Sequence, residues 1–170
     1  MKLCITITSK GEFYTANVFR DDDDLLEGKP AFWFFGDADV DVDGSPNWQR
    51  DPYGQAETSL HFEGKPVNSD IVPGIVLPPE VIKLTPEIVL GCFASVEYNG
   101  KHEPAVVFDV GPHNKLGELS ACLAKRLGIN DNPNTGGVDT QSVHYRFWPG
   151  VAAKIAGMQF VLTSFGSHHG

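Results

Sequence analysis

The chain has 170 residues, enough for one domain with a sizeable core, and no shift in composition divides it. Its 13 basic and 22 acidic residues leave a formal charge of −9, which repels nucleic-acid phosphates and anionic membrane surfaces and favours a cationic partner. Cys4, Cys92 and Cys122 lack CxxC spacing, so neither a zinc site nor a disulfide framework is indicated, and no stretch reaches transmembrane length.

Met1 to Cys4 runs straight into the alternation of a strand rather than into a signal-peptide core. Leu3 to Thr8 reads as a strand, Lys10-Gly11 as a turn and Phe13 to Phe19 as the returning strand of a hairpin. Asp21 to Asp24, four adjacent acids, suit a solvated loop. Ala31 to Phe35 is the most aromatic segment and belongs to the core.

Between Gly36 and Gly44 acids and apolar residues alternate. In an extended chain this puts Asp37, Asp39, Asp41 and Asp43 on one face and Ala38, Val40 and Val42 on the other. Like charges along one face call for a positive partner. Calcium is one candidate, because Asp39-x-Asp41-x-Asp43-Gly44 begins like an EF-hand loop, yet the twelfth position is Arg50 and no helices flank the segment. A calcium site of another kind, plain solvation, and an organic cation all stay open. A polymer with one ammonium group per sugar matches a row of acids better than one metal ion does.

Trp48 and Tyr53 lie on turn-rich segments beside these acids, where aromatic rings commonly hold sugar faces; a loop Trp is more often a packing plug. Thr58 to Phe62 reads as a strand, Gly64-Lys65-Pro66 as a turn, and Ile71 to Pro79 as a broken strand at a barrel corner or edge. Glu87 to Tyr98 and Lys101 to Asp109 form a hairpin around Asn99-Gly100.

The second of these strands ends in the apolar run Ala105 to Phe108, so Asp109 stands at a strand exit. From Leu116 the period becomes helical: Leu116, Leu119, Leu123 and Leu127 share a stripe, and Gly128 stops it. That places Glu118 in the first turn of a helix. Two acids on two elements joined by a Gly- and Pro-bearing loop could converge on one groove, and paired carboxylates are what glycoside hydrolysis uses. On spacing alone, a turn Asp and a helix-start Glu have plain structural explanations too. Asn130 to Gly137 is a long loop. Ser142 to Trp148 alternates, with Val143, Tyr145 and Phe147 on one face, and Met158 to Thr163 is the last strand. The predicted class is mainly β with one main helix: a small closed or partly closed, double-psi-like β-barrel in a single domain spanning residues 1–170, with 166–170 as a tail. No phosphate loop, HExxH, nucleophile elbow or GxGxxG occurs.

Three segments together resemble the fungal-type chitosanases, family 75 of the glycoside hydrolases. They are Asp37-Ala-Asp39-Val-Asp41-Val-Asp43-Gly44, Phe108-Asp109-Val110-Gly111 and Gly117-Glu118-Leu119-Ser120, with Leu123 to Ile129, Asn132-Pro133-Asn134 and Gly136-Gly137-Val138 continuing the likeness. The resemblance implies an endo-acting, inverting hydrolase of β-1,4-linked glucosamine polymers that uses two carboxylates and no cofactor or metal. It puts the catalytic pair at Asp109 and Glu118. Substrate contacts are expected from Asp37, Asp39 and Asp41, with Trp48, Tyr53, His113 and Trp148 as further groove residues. Such an enzyme is expected to be an extracellular monomer with a cationic polysaccharide as partner and neither nucleic acid nor membrane. Val110, Val42 and Leu119 depart from the family pattern, which usually has Thr, Cys and Ala there, and the leader common to such enzymes is not seen in this chain. On local environment, Asp109 at the end of a buried run is expected to hold its proton and Glu118 at a helix start to stay ionised. The rival readings are a non-catalytic cationic-polysaccharide-binding or calcium-stabilised module, and a glycosidase of another cell-wall glycan.

Overall fold

The computed structural model describes residues 1–11 and 14–164. In chain order the strands are β1 (Lys2–Thr8), β2 (Thr15–Leu26), β3 (Lys29–Asp41), β4 (His61–Phe62), β5 (Lys65–Pro66) and β6 (Gly74–Leu77). After the short helix α1 (Pro79–Ile82) come β7 (Cys92–Tyr98), β8 (Lys101–Val110) and β9 (Glu118–Ser120), then helix α2 (Ala121–Arg126), β10 (Val138–Ala152), β11 (Lys154–Ile155) and β12 (Met158–Gln159). Strands pair in the order β3-β10-β7-β8-β6-β9, and β9 returns to β3, so six strands close into a barrel. Hairpin β1–β2 extends the sheet beyond β3. The mainly β, single-domain barrel read from the sequence is the architecture found.

The barrel is filled from the alternating faces of its strands. Val143, Tyr145 and Phe147 of β10 are buried as the alternation predicts, with Phe34 stacked on Tyr145 at 4.9 Å. The β7–β8 hairpin turns through Asn99 and Gly100 at φ 51° and 80°, the pair of positive dihedrals that a tight turn matched to strand twist requires.

Several expectations are corrected. The helix starts at Ala121, not in the turn containing Glu118, because Glu118–Ser120 is drawn into the barrel between β3 and β6. Ser120 is the helix cap: its hydroxyl accepts from the Leu123 N–H at 3.2 Å and donates to the Val72 carbonyl at 2.8 Å. Leu116, Leu119, Leu123 and Leu127 are all buried, so the stripe is real, but it is shared by a loop, a strand and a helix. The stop at Gly128 holds: its N–H bonds the Lys125 carbonyl and that of Ile129 the Ala124 carbonyl, closing a Schellman motif.

Asp21 to Asp24 lies within β2 rather than in a loop. The pairing with β3 is irregular there, and Asp24 takes the Arg146 guanidinium at 3.0 Å. The segment expected at a corner or edge supplies β6, paired on both sides; its prolines, Pro73, Pro78 and Pro79, fall outside the strand. Strands read at Thr58 to Phe62, Glu87 to Tyr98 and Met158 to Thr163 are shorter than expected. Phe13 and the tail 166–170 lie outside the described residues.

Candidate functional site

Val76 of β6 pairs with Asp109 of β8 on one side and with Glu118 of β9 on the other, and Glu118 in turn pairs with Asp39 of β3. Residues paired across strands face the same way, so one rung presents three carboxylates to one side of the barrel wall. A bulge makes this register. Ile75 pairs with Val107 and Val76 with Asp109, which leaves Phe108 as the extra residue and turns Asp109 onto the rung. Gly74 permits the bulge, since a Cβ there would lie 2.4 Å from the Phe108 ring.

These groups line a cleft of about 700 Å³ together with Asp41, Asp43, Tyr53 and Pro133. Of the expected site residues, the fold therefore brings Asp39, Asp41, Tyr53, Asp109 and Glu118 together. It does not bring the other four. Asp37 is fully buried, accepts from the Tyr14 hydroxyl at 2.7 Å and offers its carbonyl to Tyr145. Gly117, at φ +81°, packs so closely on it that a Cβ would lie 2.0 Å from Asp37 Oδ1. Trp48 lines a separate, mainly apolar cavity with Phe62 and Met158. His113 is exposed and bonds Glu80 at 2.7 Å. Trp148 is buried against Ala31 and Val151, donates to the Asp24 carbonyl at 3.2 Å and lies beneath the Arg146 guanidinium.

Ser59 and Lys115 line the cleft without having been singled out, and Asp43 joins them from the acidic run. Asp43 shares the alternation of Asp39 and Asp41, so its place was signalled. Lys115 lies in the loop between the two acids and pairs with Asp39 at 2.5 Å. Nothing in the sequence marks Ser59, which arrives from 50 positions away to donate to Asp109 Oδ1 through its hydroxyl at 2.7 Å and its N–H at 3.1 Å. The Val110 N–H donates to the same oxygen at 2.9 Å.

Burial dominates the electrostatics. It pushes Glu118 up to about 7; the Lys115 charge opposes this, and the charges of Asp39, Asp109 and Asp43 add to it. Asp43 is likewise pushed up to about 7 by burial, with the Gln55 N–H working against it. Burial raises Asp41 well above the usual range, and the Asp43 charge raises it further. Asp109 is raised by burial too, but the Ser59 hydroxyl, the Ser59 N–H and the Val110 N–H all favour its ionised form. The helix-start reason for an ionised Glu118 is gone, because Glu118 is in a strand.

Asp41, Asp43 and Asp109 offer carboxylate oxygens within 4.8 Å of one another, a spacing at which acids share protons or a cation. A carboxyl that keeps its proton near neutrality, across a rung from a carboxylate fed by three donors, is equipped for acid–base chemistry on a group lying between them. No protein-family model matches the chain, and no curated protein matches it either.

Proposed function

We propose that this barrel is an endo-acting glycoside hydrolase that cuts β-1,4 linkages between glucosamine units of chitosan by inversion, with Asp109 and Glu118 as the two working carboxyls and no cofactor. The observation that carries this reading is the shared rung: the two acids flank Val76 in one acidic cleft. Two strand spacings separate their backbones by about 9.5 Å, and both side chains line the same cleft. Inverting enzymes hold their carboxyls about 6.5–9.5 Å apart to seat a water, whereas retaining ones need about 5–5.5 Å.

The roles are exchanged relative to the reading from sequence. Glu118, held near 7 by burial, gives its proton to the glycosidic oxygen as that bond breaks. Asp109, fed by the Ser59 and Val110 donors, takes a proton from the water that attacks the anomeric carbon from the opposite face. Asp39 at the cleft attracts the ammonium groups of the sugar chain, and the exposed Tyr53 ring offers a face for a sugar to lie on. On this reading the protein is an extracellular monomer.

The test is release of reducing ends from chitosan, run beside fully acetylated chitin and peptidoglycan. Release from chitosan alone supports the reading; release only from another glycan keeps the mechanism and changes the polymer. The cluster of Asp41, Asp43 and Asp109 favours a second reading, a module that grips a cation or cationic polymer without cutting it. Chitosan binding with no new ends, or a calcium-dependent rise in Tm without hydrolysis, would select it.

A further inference from the structure

Away from the carboxylate cleft, a second cavity of about 330 Å³ lies at the other end of β3 and shares no lining residue with the first. Phe32 in its wall and Asp39 in the cleft are seven positions apart on that strand, about 23 Å. One wall is a single rung: Lys2 of β1 pairs with Arg20 of β2, and Arg20 pairs with Phe32 of β3. Two cations and a phenyl ring thus face the same way, side by side. Lys29 adds a third cation, and Leu84 and Pro149 supply apolar surface.

The charge runs against that of the whole molecule. In a chain of net charge −9, three of 13 basic side chains meet here, and among the described lining residues Glu87 is the only acid. Glu87 holds Lys29 at 2.8 Å, and Asp22 holds Arg20 at 2.9 Å. Both pairs are solvent-accessible and exchange partners cheaply. Lys2 and Arg20 directly opposite one another on neighbouring strands repel, and an anion between them relieves that repulsion. A concave site with apolar walls and a few convergent charges is the general form of a small-molecule pocket.

We propose that this cavity binds a small amphipathic anion, a carboxylate or phosphate monoester on an aryl or alkyl body. Its head lies between Lys2 and Arg20 and its body lies against Phe32, Leu84 and Pro149. Charge-assisted hydrogen bonds hold the head, and the size of the cavity limits the body to roughly one ring and a short tail. The site is independent of the chemistry proposed for the cleft.

Calorimetric titration with 4-phenylbutyrate, phenyl phosphate, inorganic phosphate and the neutral 4-phenylbutyramide tests this, with circular dichroism to check each variant's fold. Saturable one-to-one binding of at least one aryl anion is expected, weakened about tenfold or more in Lys2→Gln and Arg20→Gln, as loss of a charged hydrogen bond implies. Lys2 is exposed, so its variant reports binding even if Arg20→Gln fails to fold. Amide binding as tight as the carboxylate, inorganic phosphate as tight as phenyl phosphate, wild-type affinity in Lys2→Gln, or no saturation at millimolar ligand each overturns the proposal.

Discussion

Asp109 and Glu118 are the two lateral neighbours of Val76, on strands that run parallel and antiparallel to it respectively. Neither acid would meet the other without the one-residue bulge at Phe108, and the bulge depends on Gly74. The Phe108 ring fills the space a Cβ at Gly74 would need, so Gly74→Ala must displace either the ring or the strand. Gly74→Ala is expected to lower stability by about 1–3 kcal/mol, as overpacking does, read as a drop in Tm. Hydrolysis should fall further than stability at temperatures where the variant is folded.

Gly117 works from below the same rung. Its positive φ and its contact with Asp37 leave no room for a side chain, so Gly117→Ala is expected to cost at least about 2 kcal/mol in thermal or chemical unfolding. Tyr14→Phe, which removes only the hydroxyl bonded to Asp37, should cost about 1 kcal/mol. A Tyr14→Phe variant with weakened chitosan binding but unchanged Tm would return Asp37 to the substrate site.

The raised carboxyls make stability fall as pH rises. Asp43 and Glu118 have ordinary values of 3.8 and 4.5 and are pushed up to about 7, so the folded state binds protons that the unfolded state has released. Their protonation stabilises fully below about 4 and is lost as pH climbs through about 7. His144, lowered by burial, acts in the opposite sense below its ordinary 6.5. Glu118→Gln isolates the carboxyl contribution: Tm against pH between about 4.5 and 7.5 should be flatter than in the wild type.

Rate should follow the same group. Hydrolysis that needs protonated Glu118 declines as pH rises through about 7. Glu118→Gln and Asp109→Asn should each lower kcat by about 100- to 10,000-fold while retaining the fold. Near-normal turnover in either variant removes that residue from the mechanism.

Much of the architecture was legible because alternation reports burial directly, as Val143, Tyr145 and Phe147 illustrate. The Asn99-Gly100 hairpin was legible because only a few residues accept its dihedrals. Helical spacing at Leu116, Leu119, Leu123 and Leu127 misled about Glu118, since a common buried stripe does not require one element. Pairing with β3 and β6 outweighed the local periodicity over three residues. The acids of the cleft were visible as an alternating run, but not that the Asp37 carboxylate is buried against the Tyr14 hydroxyl while its carbonyl accepts from Tyr145. That depends on β1–β2 and β10, far away in sequence. Ser59 was invisible, because its partner is chosen by the barrel rather than by its neighbours. Trp48 and Trp148 drew notice as aromatic rings, but Trp48 lines a separate cavity and Trp148 serves in packing.

The most direct measurement is the anomeric configuration of the first sugar ends released from chitosan, followed by proton NMR before mutarotation. A water seated between Asp109 and Glu118 yields α-configured ends first. Ends that appear first as β, or no ends at all from folded protein, would contradict hydrolysis by this pair.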